Sequence, residues 1–160
     1  MKKISLIIAL VTTGWHVQAQ KIEQQNLPVA VLQNFTKLYP DVVNVKWELE
    51  DGNYEGQYKK NDIQSEVVFS STGTFIQAEK SLNSPHDLPA AVLASLKKDF
   101  SGFNYKDAEI VTIADGQTLY EVEAVKAAIS YELIYEANGT LKEKSENHPS
   151  TKEKDKNKKK

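Results

Sequence analysis

Four glutamates in the second half of the chain have the type and spacing of a binding site. Glu121 and Glu123 alternate along one predicted strand, and Glu132 and Glu136 lie on the next. Side chains two residues apart on a strand point to one face, and a short turn makes the two strands neighbours, so the four carboxylates should share a face. Like charges placed opposite each other destabilise a sheet, which favours a cationic partner surface or a bound cation. A purely solubilising acidic face is the plainer interpretation, and it stays open.

Residues that carry enzymatic chemistry are scarce. The chain has no Cys, which excludes thiolate metal sites and a cysteine nucleophile. Ser84, His86 and Asp87 supply the letters of a catalytic triad, but neighbours in a linker do not form one, because a triad depends on geometry. No pair of His at ligand spacing and no phosphate-binding loop or nucleophile elbow occurs. We therefore predict that the protein is not an enzyme, and we assign no catalytic residue, no cofactor and no metal ligand.

The charge pattern and the first residues indicate export. Lys2 and Lys3 precede an apolar run over residues 4–11, and small residues at Val17 and Ala19 complete the pattern of a secretory signal peptide, residues 1–19. The apolar run is too short to span a membrane. We predict a periplasmic or secreted protein with no membrane span after cleavage.

The charge of the rest of the chain disfavours nucleic-acid binding. Residues 20–144 hold 19 acidic residues and 12 Lys, and the chain lacks Arg, so it offers little positive charge to a phosphate backbone.

A repeated motif divides the rest of the chain. Residues 26–32 match residues 87–93, and residues 72–75 match residues 138–141. The match predicts two tandem units that pack into one compact body. The predicted boundaries are a short lead over 20–25, unit 1 over 26–81, a linker over 82–86, unit 2 over 87–145, and a Lys-rich disordered tail over 146–160.

Each unit should contain one helix followed by four strands. Asn26 and Asp87 are expected to cap amphipathic helices that carry Pro28 and Pro89 in their first turn. Asp-Gly and Asn-Gly turns separate alternating segments by two or three residues, which forces antiparallel pairing. The predicted fold class is α+β: two tandem units of one helix followed by a four-stranded antiparallel sheet, with the helices packed on one sheet face. The predicted strands lie near 42–50, 53–60, 63–70, 74–79, 105–113, 117–125, 128–137 and 140–144.

These segments resemble a known family. Residues 120–123 and 131–141 (Tyr-Glu-Val-Glu, then Tyr-Glu-Leu-Ile-Tyr-Glu-Ala-Asn-Gly-Thr-Leu) resemble the two strands and Gly turn of PepSY domains. With the Leu-Pro helix starts and tandem units, residues 26–145 resemble the PepSY-like family described as β-lactamase-inhibitor-like, exported proteins common in the Bacteroidetes group. The resemblance implies a periplasmic or secreted, non-enzymatic binding role with a protein partner such as a secreted or periplasmic hydrolase. It assigns no contact residues to this chain. The alternative function is an envelope module that binds calcium or a small molecule.

Overall fold

The computed structural model describes residues 20–147. The predicted signal peptide and residues 148–160 of the predicted Lys-rich tail lie outside the described residues. The described chain contains two α-helices, nine β-strands and two short 3-10 turns. In chain order these are β1 Gln20–Ile22, the turn Gln24–Asn26, α1 Val29–Leu38, β2 Lys46–Glu50, β3 Asn53–Lys60, β4 Ile63–Ser70, β5 Phe75–Ser81, the turn Pro85–Asp87, α2 Ala90–Asp99, β6 Asn104–Ile113, β7 Thr118–Lys126, β8 Ile129–Glu136 and β9 Leu141–Asn147.

All nine strands belong to one antiparallel sheet and follow one another in chain order. β5 pairs with β6, which sets Gln77 opposite Ile113 and Ser81 opposite Glu109, and β1 adds to the outer edge of β2. The predicted fold of two tandem units, each with its own four-stranded sheet, is therefore wrong. The physical reason lies in β5 and β6, whose outward N–H and C=O groups would form two unpaired edges unless the strands met.

Both helices cover the same face of this sheet. Val31 of α1 packs in one cluster with Val67 of β4, and Val92 of α2 packs in a second cluster with Val122 of β7. All four side chains are fully buried. The cross-strand register carries the row of Val67 through β5 and β6 to the face of Val122. Within residues 20–147, neither helix has the length and apolar character that crossing a membrane requires.

Two hairpin turns fix the helices against the sheet. Gly73 lies between β4 and β5 and Gly139 between β8 and β9, and each has a positive φ. A Cβ at either position would collide with the backbone of α1 or α2. Asn34 Nδ2 of α1 donates a hydrogen bond to the Gly73 carbonyl, and Ser95 Oγ of α2 donates one to the Gly139 carbonyl, each over 2.8 Å. Each turn therefore needs the absence of a side chain and supplies an acceptor to its helix.

The helix starts differ from the prediction. Pro28 and Pro89 occupy the N-cap positions of α1 and α2, and no side chain caps either helix. Asp87 instead closes the preceding 3-10 turn, where its carboxylate accepts from the Ser84 N–H and the Ser84 hydroxyl accepts from the His86 N–H. The predicted capping roles of Asn26 and Asp87 for the α-helices are therefore wrong.

Candidate functional site

The sheet face opposite α1 and α2 carries most of the carboxylates of the strands. Alternation along each strand and the cross-strand register place these side chains on one surface. We call this surface the helix-free face. Its glutamates are Glu48, Glu50, Glu55, Glu66, Glu79, Glu109, Glu121, Glu123, Glu132, Glu136 and Glu143.

An apolar patch lies in the middle of the helix-free face. Val111, Leu119 and Ile134 form a buried cluster of their own, and Ile113 packs against it. Val111 is opposite Leu119 across β6 and β7. The patch is separate from the two clusters under the helices. The helix-free face therefore combines an apolar centre with acidic surroundings, as the buried core and polar rim of a protein interface do.

Several acidic and amide side chains of this face are buried although neither helix covers them. Glu55 is 3% exposed, Gln77 4%, Glu79 6% and Glu121 4%. The shielding therefore comes from neighbouring side chains of the same face. Burial removes water from these groups, and a buried carboxylate is costly unless hydrogen bonds or an opposite charge compensate.

Two of these groups receive hydrogen bonds from glutamines on their own strands. Gln57 Nε2 donates to Glu55 Oε1, and Gln77 Nε2 donates to Glu79 Oε1 over 2.8 Å. Glu121 is different: its Oε2 atom is buried and has no hydrogen-bond partner within residues 20–147. Glu121 thus presents an acceptor that the surrounding described residues do not use.

The surroundings of Glu121 strongly favour its neutral form. Desolvation is the main cause that raises the pKa of Glu121 to about 9, and the nearby charges of Glu132, Glu79, Glu109 and Glu143 raise it further, in that order. These neighbours come from β8, β5, β6 and β9, so four strands besides β7 contribute. We call these five residues the Glu121 cluster. At neutral pH, its central carboxyl group is protonated when nothing else is bound.

The four predicted binding residues all lie on the helix-free face, but only part of the set converges. Glu121 and Glu132 belong to the Glu121 cluster, and Glu123 stands directly opposite Glu132 in the register. Burial, then the charges of Glu143 and Glu123, raise the pKa of Glu132. Glu136 lies opposite Leu119, on the far side of the apolar patch.

Glu123 and Glu136 each have a partner of their own. The Ser130 hydroxyl donates a hydrogen bond to Glu123 Oε1. Lys142 Nζ lies 3.1 Å from Glu136 Oε1, an ion pair that partly neutralises this end of the face. The carboxyl groups of this set whose pKa burial and neighbouring charges raise are therefore those of Glu121 and Glu132.

Sequence reasoning missed three members of the cluster: Glu79, Glu109 and Glu143. Glu79 approaches Glu121 only because β5 pairs with β6, a contact between segments separated by α2. Glu109 lies directly opposite Glu121 across the β6–β7 pair. Glu143 lies opposite Ile134 on the last strand. Alternation along β5 puts Gln77 and Glu79 on one face, but no local pattern indicates which distant strand completes that face.

Within residues 20–147, no group of three or more His, Asp or Glu side chains has the arrangement to hold a metal ion. The carboxylates of the Glu121 cluster approach one another closely enough to repel without forming such a group.

Comparison with known proteins identifies solved structures that share this fold. No family model and no curated protein matches the chain. Among solved structures, a DUF2874 family protein from Bacteroides ovatus has a TM-score of 0.71 at 22% identity, over 76% of this chain and 88% of that one. A BLIP-like protein from Bacteroides fragilis has a TM-score of 0.67 at 24% identity, over 76% and 89%. A Bacteroides eggerthii protein described as a predicted periplasmic protein has a TM-score of 0.70 at 17% identity, over 75% and 88%. The chain therefore shares its fold with the DUF2874 and BLIP-like proteins.

Proposed function

We propose that the protein is an exported, non-enzymatic binding module whose helix-free face holds a protein partner with a basic surface. The observation that carries this proposal is Glu121: a buried carboxyl group, unpartnered at Oε2, surrounded by four other glutamates and next to an apolar patch. A sheet that needed only solubility would keep its charges in water, where they cost little. A cationic partner would compensate the burial and the repulsion together.

The partner class follows from the make-up of the face. Ile113, at the edge of the apolar patch, is only partly buried and offers apolar contact, and the glutamates around the patch offer charge complementarity to Lys or Arg. The BLIP-like description of one structural neighbour supports an inhibitor-like role, and with it a secreted or periplasmic hydrolase as partner. Glu121, Glu123, Glu132 and Glu136 are the proposed contact residues, with Glu79, Glu109 and Glu143 added by the geometry.

The test is affinity capture from periplasmic extract, followed by binding measurements with the purified partner. One variant changes Glu121, Glu123, Glu132 and Glu136 to Gln. A matched control removes four charges away from the face, through Glu23→Gln, Asp41→Asn, Asp99→Asn and Glu146→Gln. Wild type and control should hold the same partner with similar Kd, and the four-Gln variant should lose it. Equal affinity for the four-Gln variant, or no specific partner, contradicts the proposal.

A further inference from the structure

We infer that the Glu121 cluster is a seat for one lysine side chain of the partner, with the ammonium group at Glu121 Oε2 and the aliphatic stem against the apolar patch. This inference rests on the proposed function and specifies the chemistry of its contact. It assigns one position of the face to one residue type, whereas the proposed function requires only a basic partner surface.

Converging strands define the position of this seat. In the register, Glu121 stands between Glu109 on β6 and Ile134 on β8. Glu143 lies beyond Ile134 on β9, and Glu79 lies on β5 opposite Val111. The carboxylates thus surround Glu121 from both sides of its strand, and one positive charge placed among them would attract each of them and so offset their mutual repulsion.

The second observation is the unused acceptor itself. Glu121 is 4% exposed, and its Oε2 atom has no donor within residues 20–147. Glu123, two residues along β7, receives the Ser130 hydroxyl, and Glu79 receives Gln77. Glu79 and Glu123 therefore receive a donor, whereas the Oε2 atom of Glu121 receives none from the described residues. A lysine ammonium brings three donors and a full charge to that point.

The apolar patch distinguishes a lysine from a bare cation. Leu119 precedes Glu121 by two residues on the same face of β7, and Ile134 is its direct cross-strand neighbour. Both belong to the buried cluster with Val111. Val111, Leu119 and Ile134 are 0%, 7% and 2% exposed, so the methylene stem of a lysine would take the place of the side chains that now shield them, while its head stays with the charges. Apolar side chains cannot coordinate a metal ion, and the described residues contain no group of side chains arranged to hold one.

The number of unused acceptor atoms favours lysine over arginine. A guanidinium binds best when its planar fork meets two carboxylate oxygens in parallel. The structure leaves one buried oxygen of Glu121 without a donor. A compact ammonium on a narrow stem matches one such oxygen between Glu109 and Ile134 better than a broad planar group does.

Binding of an ammonium should also displace the proton of Glu121. Burial and the charges of Glu132, Glu79, Glu109 and Glu143 keep this carboxyl group protonated at neutral pH; Glu123 on its own strand adds to the acidic surroundings through Glu132. The ion pair requires the ionised form, so affinity should rise with pH by up to about tenfold per pH unit below the pKa of Glu121. A structural role for Glu121 alone predicts no such linkage.

The experiment is an NMR titration of the purified protein with the peptide acetyl-Gly-Lys-Gly-amide, at about pH 6.5 and pH 8.5. Matched probes are the Arg peptide, the same Lys peptide with its ε-amine acetylated, and calcium chloride. The protein variants are Glu121→Gln and the control Glu48→Gln, which removes a charge from the same face at a distance from the cluster. The amide signals of Glu121 and Ile134 should shift with the Lys peptide, with at least tenfold tighter binding at the higher pH.

The outcomes test the lysine seat and the binding face separately. Loss of the shifts in Glu121→Gln, with retention in Glu48→Gln, supports the lysine seat. Equal binding of the Arg or acetylated peptide, displacement by calcium, unchanged binding in Glu121→Gln, or no shift at Glu121 and Ile134 overturns it. If the peptide fails while the four-Gln variant still loses its captured partner, the lysine seat falls and the binding face stands. If the peptide binds while the variant keeps its partner, the binding face falls instead.

Discussion

Replacing Glu121 by Gln should make the folded protein more stable at neutral pH. Glutamine has nearly the shape of a protonated glutamic acid, so it should fill the same space beside Ile134 without adding a charge. In the wild type, burial first and the charges of four neighbouring glutamates next raise the pKa of Glu121 above its ordinary value. The folded protein therefore keeps a proton on this residue that the unfolded chain loses.

The sign and size follow from that difference. The folded-state pKa of Glu121 is about 9, against an ordinary value of 4.5. Stability from this group is complete below about pH 4.5 and declines as the pH rises toward 9, since the folded state binds the extra proton. At about 1.4 kcal/mol per pH unit, the loss between pH 4.5 and pH 7 amounts to about 3 kcal/mol. Gln does not titrate, so Glu121→Gln should recover about that free energy of unfolding at pH 7 and almost none at pH 4.5.

Urea unfolding at about pH 4.5, 7 and 8.5 measures this directly for wild type, Glu121→Gln and Glu48→Gln. The difference in unfolding free energy between wild type and Glu121→Gln should grow steadily with pH, whereas Glu48→Gln should follow the wild type. A constant difference across the three conditions would refute the reasoning, because it would mean that Glu121 has the same pKa in the folded and unfolded states. A destabilised Glu121→Gln at pH 7 would show that the ionised carboxylate is held by a contact inside the protein.

Three further substitutions, two of them with a matched control, test packing and capping by urea or thermal unfolding. Gly139→Ala should cost at least about 2 kcal/mol more than Gly116→Ala. Both glycines have a positive φ, so each substitution carries a conformational cost of about 1 kcal/mol. An added Cβ at Gly139 would also lie 2.5 Å from a carbonyl oxygen of α2, whereas a Cβ at Gly116 has no atom of the described residues within 4 Å. Leu96→Ala should cost about 2–5 kcal/mol because this side chain of α2 is fully buried against the sheet. Val29→Ala, at 70% exposure, should stay within about 0.5 kcal/mol. Ser84→Ala should cost about 1 kcal/mol through loss of the hydrogen bond that the Ser84 hydroxyl accepts from the His86 N–H, and equal stability of that variant would show that this hydrogen bond does not stabilise the fold.

Local sequence patterns predict the strands and turns well, because they depend on neighbours in the chain. Alternation places Glu121, Glu123, Glu132 and Glu136 on one face, and the structure has them there. The strand predicted near 140–144 instead runs to Asn147. Its later residues are polar, so nothing in their pattern separates an edge strand from a tail, and pairing with β8 decides the matter.

Local sequence patterns cannot predict the pairing of β5 with β6. Turn chemistry specifies pairings across two or three residues, whereas these strands are separated by the Pro85–Asp87 turn and by α2. A repeat of helix and strands fits two separate sheets and one joined sheet equally well, since the repeat does not encode its own boundary. The same long-range contact brings Glu79 to Glu121, so the error in fold class and the omission of Glu79 from the site have one cause.

The joined sheet also explains why the carboxyl group of Glu121 is surrounded by other carboxylates. In a separate second unit, β6 would be an edge strand, and Glu79 of β5 would not reach the surroundings of Glu121. In the joined sheet, Glu121 lies on β7 with strands on both sides, where an apolar residue like its neighbours Leu119 and Ile134 would stabilise the fold. A carboxyl group that costs the fold about 3 kcal/mol at neutral pH is accounted for if a partner's positive charge stabilises its ionised form. The pH dependence of folding and the pH dependence of lysine binding should therefore have opposite signs and report the same pKa, because both measure the proton on Glu121.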